Sequence, residues 1–197
     1  MRIIAGTYRS RRLEAPPGLN TRPTSDRLRE TLFNVLAPRI GGAAFLDLYA
    51  GSGAVGVEAL SRGAARVTFV ERSPAALRVL RRNLDQLRIA GGFAVRAETV
   101  AAFLRSAAKT GSKPELYEVV FLDPPYDAAQ EYATTLDLLG RAAHSILNPG
   151  ALVIAEHRRK QALEEQYGSL HRTRLLEQGD AALSFYEAAP TAQDRRI

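Results

Sequence analysis

Four apolar residues, Val119 to Leu122, run directly into Asp123-Pro124-Pro125-Tyr126. An acid has no evident use at the end of a buried strand, and two successive prolines neither donate to a sheet ladder nor continue into a helix. A chemical use fits each residue. The exocyclic amine of a nucleobase has its lone pair delocalised into the ring and is a poor nucleophile. Two acceptors aimed at its N–H groups would hold it and favour a pyramidal nitrogen, exposing the lone pair to an electrophile. The Asp123 carboxylate supplies one acceptor and the Pro124 carbonyl the other, with the prolines fixing the backbone so that it points inward. Tyr126 offers a flat face on which a flipped-out base stacks. The plain alternative is a strand-ending turn, for which Asp-Pro-Pro is a common combination.

A second constellation lies upstream in "DLYAGSGAVG". Gly51, Gly53 and Gly56 match G-x-G-x-x-G between a strand and a helix, and Glu71 ends the next strand 20 positions after Gly51. This fits an adenosine-cofactor fingerprint, with glycines for close backbone approach and an acid for ribose hydroxyls. Alone it does not separate NAD from another adenosine cofactor. Asp47 discriminates. A carboxylate inside the first strand would repel an approaching pyrophosphate and suits a cationic group such as an ammonium. S-adenosylmethionine carries an ammonium, a sulfonium and no phosphate, so a methyltransferase is favoured over an NAD-dependent dehydrogenase.

Both motifs need a scaffold that brings them together, and the pattern between them supplies one. "AFLDLYA", "RVTFVE", "GFAVRAE", "YEVVFLD" and "ALVIAEH" read as strands. Helices fall between them at "AVGVEALSRG", "SPAALRVLRRNLDQLRI" (Ser73 as N-cap, Pro74 first), "TVAAFLRSAA" and "AAQEYATTLDLLGRAAHSIL". A further helix is expected at "RKQALEEQYG", after the fifth strand, and a terminal hairpin turns near Gly179-Asp180. Strict alternation implies a doubly wound α/β sheet of Rossmann-like type, seven strands with an antiparallel C-terminal hairpin. In such a sheet the fourth strand lies beside the first, so the glycine loop and Asp123 face one cleft. A small N-terminal extension precedes it: a β-hairpin or extended arm, then a helix capped by Thr24 or Ser25 and ended by Pro38. The expected division is 1–40 for this extension, 41–190 for the catalytic domain and 191–197 for a tail.

Charge is concentrated in the extension. Residues 1–39 hold eight arginines and three acids, a surplus of five out of the chain's net +6. Arginine without lysine favours bidentate phosphate contact, so the segment reads as a detachable polyanion grip through Arg2, Arg9, Arg11, Arg12, Arg22 and Arg27. A structural flap sealed by Ile3, Ile4 and Leu13 is the competing reading. There are no cysteines and only three scattered histidines. That excludes disulfides, thiolate metal sites and covalent cytosine-C5 methylation. A cytoplasmic, metal-free monomer without membrane association is expected. Glu156 and His157 end the fifth strand, where a core-edge or surface place is expected.

The combination of "LDLYAGSGAVGVEALSRGA", "VE" and "DPPY" resembles class I S-adenosylmethionine-dependent N-methyltransferases. The opening "RIIAGTYRSRRL" with "TRPTSDRLRETLFNVL" narrows the likeness to the bacterial family that methylates N2 of guanine 966 in 16S ribosomal RNA. The resemblance runs from about residue 2 to residue 188 and implies 16S rRNA or the small ribosomal subunit as partner. It places Asp123, Pro124, Pro125 and Tyr126 at the target amine. It places Asp47, Tyr49, Gly51, Ser52, Gly53, Glu71, Arg72, Glu98, Thr99 and Val100 at S-adenosylmethionine. Tyr49 stands where many class I enzymes have a third glycine. The adenine-contacting position after the third strand falls on Thr99 by register, with Glu98 beside it. A methyltransferase acting on adenine N6 in DNA or another RNA is the alternative.

Overall fold

Short apolar runs separated by amphipathic helices should pair in parallel, with the helices on both faces. The computed structural model describes residues 1–15, 26–109, 115–125 and 129–189. Its elements are α1 (Asp26–Leu36), β1 (Ala44–Leu48), α2 (Ala54–Ser61), β2 (Arg66–Val70), α3 (Pro74–Gln86), β3 (Phe93–Arg96) and α4 (Val100–Lys109). They continue as β4 (Tyr117–Leu122), α5 (Ala129–Arg141), α6 (Ala143–Ile146), β5 (Leu147–Arg158), β6 (Gln166–Tyr167), β7 (Leu170–Gln178) and β8 (Ala181–Ala188). One sheet of eight strands runs in the order β3-β2-β1-β4-β5-β8-β7-β6. The first five strands are parallel, and the last three join antiparallel.

Side chains alternate across this sheet into two cores. Phe45, Val119, Phe121 and Ile154 pack with α1, α2 and α3, while Leu46, Val120, Leu122 and Val153 pack with α4, α5 and α6. Strands β1 and β4 are therefore buried on both faces, which is why they read as continuous apolar runs. The order reverses between β1 and β4, with Asp47 paired to Phe121. This topological switch point is where an open α/β sheet opens a crevice.

Several expectations need correction. No helix follows β5. Instead the chain turns, and Leu163 and Tyr167 bury themselves in the α5 core, where Tyr167 starts the short strand β6. The opposite face of β5 is already covered by α1, whose Leu28, Leu32, Phe33 and Leu36 share a core with Ile154 and Phe185. With β6, the sheet has eight strands and not seven. The long helix predicted before Pro149 breaks at Ala142, because the Gly140 carbonyl accepts the Ser169 hydroxyl at 2.6 Å. Strand β5 then begins at Leu147, and Pro149-Gly150 ride in a register shift between Tyr117↔Leu147 and Val119↔Leu152. The Ser73 cap, the Pro74 start and the turn at Gly179-Asp180 are as expected. The proposed caps Thr24 and Ser25 lie outside the described residues.

The N-terminal segment is not detachable. It closes as a narrow hairpin with one bridge, Arg2↔Arg12, and it is sewn to the domain. Ile3 and Leu13 are 1% and 5% exposed and belong to the α1–α3 core. The buried Glu58 carboxylate of α2 accepts the backbone N–H groups of Ile4 (2.8 Å) and Ala5 (3.0 Å). Gly6 crosses α2 so closely that a Cβ there would sit 1.7 Å from the Ser61 carbonyl oxygen. Arg29, one of the eight arginines, is wholly buried. Its Nη2 donates to Asp26 (2.9 Å) and to the Arg2 carbonyl (2.5 Å), with its Nε 3.8 Å from Glu58. Burial lowers the Arg29 pKa, and the Asp26 and Glu58 charges oppose that shift. The flap reading holds for Ile3 and Leu13, while Ile4 is half-buried.

Candidate active site

Strand ends and the loops after them build the crevice. Gly51 and Gly53 adopt φ of 57° and 80°, left-handed values that cost glycine little, and Tyr49 is forced to φ 61°. The loop thus folds back over the end of β1. Gly56 serves a different need: a Cβ there would meet Phe69 at 2.3 Å and the Asp47 carboxylate at 2.9 Å. It lets α2 press against the sheet, and its N–H donates to Asp47 Oδ2 at 2.8 Å. Glu71, ending β2, ties two loops together. Its Oε2 accepts the Gly51 N–H (2.8 Å) and its Oε1 accepts the Ser73 N–H (2.7 Å).

These groups wall a cavity of about 520 Å³ that also takes in Asp123, Pro124 and Pro125, a size ordinary for a cofactor-scale ligand. Ser52, Arg72, Glu98, Thr99 and Val100 line it as well. The Thr99 hydroxyl accepts the Ala102 N–H at 3.2 Å and caps α4, while Val100 is buried at the start of that helix. Ser52 is pinned through its carbonyl by Asn83 Nδ2 at 3.0 Å.

The electrostatics are one-sided. Burial pushes Asp47 up to about 7, the Gly56 N–H opposes this, and the Glu71 charge adds to it. Asp123 is raised well above the usual carboxylate range by burial and then by the charges of Glu156 and Asp47. In β4–β5 register Leu122 pairs with Ala155, so one residue further Asp123 stands beside Glu156. Asp47, Glu71 and Asp123 line the opening, with Glu156 buried behind Asp123, an arrangement suited to a cationic ligand and to N–H donors.

Tyr49 carries a second contact besides its place at the cavity. Its ring lines the cavity, and its hydroxyl turns to α5, 2.8 Å from Glu131 Oε2 and 2.6 Å from Thr135 Oγ1. Burial raises its pKa strongly. The loop over the cofactor cavity is thereby fastened to the helix that follows Asp123-Pro124-Pro125.

The model of the family described as "Conserved hypothetical protein 95" matches residues 1–187. The chain belongs to this family. Similar proteins include ribosomal RNA small subunit methyltransferase D of Escherichia coli, 46% identical over 126 residues, which span 64% of this chain and 60% of that one. The Haemophilus influenzae protein of the same name is 36% identical over 165 residues, covering 83% of this chain and 81% of that one. Among solved structures, yhhF of E. coli, described as a candidate methyltransferase, superposes with a TM-score of 0.81 at 36% identity, over 95% of this chain and 97% of that one. The Rossmann-like methyltransferase fold expected from the sequence is thus the fold of the family.

Nine of the ten residues assigned to the cofactor line the cavity; Gly53 is the exception, and it stands between its lining neighbours Ser52 and Ala54. Asp123, Pro124 and Pro125 open on the same space, whereas Tyr126 and Arg22 lie outside the described residues. Arg2, Arg9, Arg11, Arg12 and Arg27 are exposed, with Arg2 3.8 Å from Asp26. Glu156 and His157 prove to be buried, 1% and 3% exposed, and the His157 ring bonds Ser184 Oγ and the Arg158 carbonyl oxygen. Sequence reasoning missed Met1, Ala15 and Glu131 as cavity residues. Glu131 had a usable signal, lying in the first turn of the helix after the tetrapeptide. Among the described residues no cluster of three metal-ligating side chains occurs, and no helix is long and apolar enough to cross a membrane.

Proposed function

We propose that the protein transfers a methyl group from S-adenosylmethionine to the exocyclic N2 amine of a guanine in small-subunit ribosomal RNA. The observation that carries this is the opening of Asp123 and Pro124 onto the cavity walled by Asp47, Gly51 and Glu71. The residues fit the cofactor. Asp47 meets the ammonium, Glu71 meets the ribose hydroxyls, and no cationic cradle for a pyrophosphate is needed. When bound, the cofactor supplies a methyl on a positively charged sulfur, already a good leaving group.

The chain's part is to orient and to receive. Asp123 and the Pro124 carbonyl accept the two amine N–H groups, holding the nitrogen with its lone pair toward the methyl. Tyr126 stacks on the base. As the N–C bond forms and the C–S bond breaks, the nitrogen gives up one proton. Asp123 takes it, and the raised affinity for protons that burial imposes, with the charges of Glu156 and Asp47 adding to it, makes it a better acceptor than a free carboxylate. Arg2, Arg9, Arg11, Arg12, Arg22 and Arg27 grip RNA phosphates, and names shared by the relatives point to the small-subunit RNA.

The test is nucleoside mass mapping of small-subunit RNA from cells without the protein, before and after incubation with it and S-adenosylmethionine. N2-methylguanosine should appear at one position. N6-methyladenosine, or no new methyl, would overturn the proposal. Asp123→Ala should lower turnover by roughly a hundredfold or more, while calorimetry shows cofactor affinity close to wild type.

A further inference from the structure

Docking of the N-terminal hairpin brings its arginines onto a second basic element. Arg11 Nη2 donates to the Gln86 carbonyl at 3.2 Å. The Glu14 N–H donates to Asn83 Oδ1 at 2.8 Å, and Asn83 Nδ2 returns to the Glu14 carbonyl at 3.1 Å. The Glu14 carboxylate accepts from Arg82 at 2.9 Å and from Gln86 at 2.8 Å. These bonds hold its pKa below the ordinary value. The partners Arg82, Asn83 and Gln86 belong to α3, so hairpin and helix form one surface.

Helix α3 is divided sharply. Ala76, Leu77, Val79, Leu80, Asn83 and Leu84 are buried, and Arg78, Arg81, Arg82 and Asp85 are exposed. Positions 78, 81, 82 and 85 share one helical face. Just past the helix, Arg88 is exposed at φ 56°, its N–H bonded to the Asp85 carbonyl at 2.9 Å. Arg9, Arg11, Arg12, Arg78, Arg81 and Arg88 make no ion pair with a described residue. Arg82 is already matched to Glu14, and Asp85 is the one further acid of this face. A face of six unmatched guanidinium groups repels itself unless an anion covers it.

We propose that this hairpin–α3 face is an RNA-binding surface, on which Arg78, Arg81 and Arg88 bind sugar-phosphate backbone together with Arg9, Arg11 and Arg12. The surface begins where the target must enter. The first turn of α3 contributes Ser73 and Ala76 to the cavity, Arg72 stands exposed beside them, and the hairpin contributes Met1 and Ala15. An RNA strand leaving the cavity along α3 meets a guanidinium about every turn, roughly 15 Å from Arg78 to Arg88 at helical rise. Phosphate contacts of this kind fix register and orientation without reading sequence, which suits an enzyme that must present one base out of a folded RNA. The inference rests on the RNA-methylating reading above and adds residues and a direction to it.

The experiment compares two triple variants that each remove three positive charges. One is Arg78→Ser, Arg81→Ser, Arg88→Ser. The control is Arg105→Ser, Lys109→Ser, Arg141→Ser, on α4 and α5 across the sheet. Binding to small-subunit RNA from cells lacking the protein is measured between about 50 and 200 mM salt. The first triple should weaken binding at least tenfold and reduce the slope of log affinity against log salt by about 2 to 3 units, a little under one per lost contact. The control should change affinity less than twofold and leave the slope alone, and both should bind S-adenosylmethionine as wild type does. An unchanged slope in the first triple, or an equal change in both, overturns this surface while leaving the methylation reading intact. Wild-type protein that neither binds nor methylates this RNA overturns both.

Discussion

Removing the Tyr49 hydroxyl tests how the two halves of the cavity are held together. Tyr49→Phe deletes one oxygen and leaves the ring that lines the cavity. That oxygen lies 2.8 Å from a Glu131 carboxylate oxygen and 2.6 Å from the buried Thr135 hydroxyl. A hydrogen bond to a charged group contributes about 1.5 to 3 kcal/mol and a neutral one about 0.5 to 1.5. Glu131 borders the open cavity and regains water, so the sum is discounted to about 2 kcal/mol. For a chain of this size that corresponds to a melting temperature lower by roughly 4 to 8 °C. Because α5 fixes the far end of the segment carrying Asp123 to Pro125, turnover should fall more than cofactor affinity. A double-mutant cycle isolates the contact. Glu131→Ala alone and Tyr49→Phe alone should each show the loss, and the double variant should be little worse than either, with a coupling of about 1 kcal/mol or more. Glu131→Gln, which still accepts from the hydroxyl, should restore most of the turnover lost in Glu131→Ala. Strictly additive losses in urea denaturation would refute the fastening.

Other expectations follow from the same geometry. Asp47 holds its proton up to a pKa of about 7 in the free protein, and a cation at the site requires it ionised. S-adenosylmethionine affinity should therefore weaken by up to about tenfold per pH unit below 7, with proton uptake by buffer in calorimetry; a flat profile from pH 5.5 to 8 refutes the pairing. The folded-state pKa of this acid is raised, so its protonation favours the folded state at low pH, and stability falls as pH rises from about 4 to 7. Glu71→Ala should weaken the cofactor by roughly ten- to a hundredfold through lost ribose contacts, and also loosen Gly51 and Ser73; unchanged affinity by calorimetry rules out the role. Glu58→Ala strands the buried Arg29 and two hairpin N–H groups, and should destabilise by about 3 kcal/mol or more in denaturant titration. Deleting residues 1–14 should lower the melting temperature before it affects anything else, and a truncated protein that melts like the full chain would refute the sewn hairpin.

What was legible in the sequence was whatever depends on neighbours along the chain. Five strands, the loop of Gly51 and Gly53, the Ser73-Pro74 start and the turn at Gly179 all follow from local periodicity or backbone preference. The meeting of Asp123 with Glu71 followed too, because doubly wound sheets allow one order for these strands. The misreadings concern partners far apart in sequence. "RKQALEEQYG" has helical composition, but α1 already covers that side of the sheet, and the composition of one segment carries no record of another's position. The N-terminal arginines read as a free arm since nothing local marks Glu58, 54 positions from Ile4, as the acceptor of its backbone. Arg29 looked like its exposed neighbours and lies at the bottom of the core. Nothing around Tyr49 announces that its hydroxyl answers to a helix more than 80 residues downstream.

The clamp of Glu58 on the hairpin also sets an order of events during synthesis. Residues 1–14 leave the ribosome before their clamping partners Glu58, Ser61 and Asn83, which follow at separations of 53 to 69 residues. Until then Ile3 and Leu13 have no core to enter. The cationic segment docks only when α2 and α3 arrive to close the loop. Nascent chains stalled before and after residue 83 should differ accordingly: protease should cut the segment in the shorter chain and spare it in the longer one.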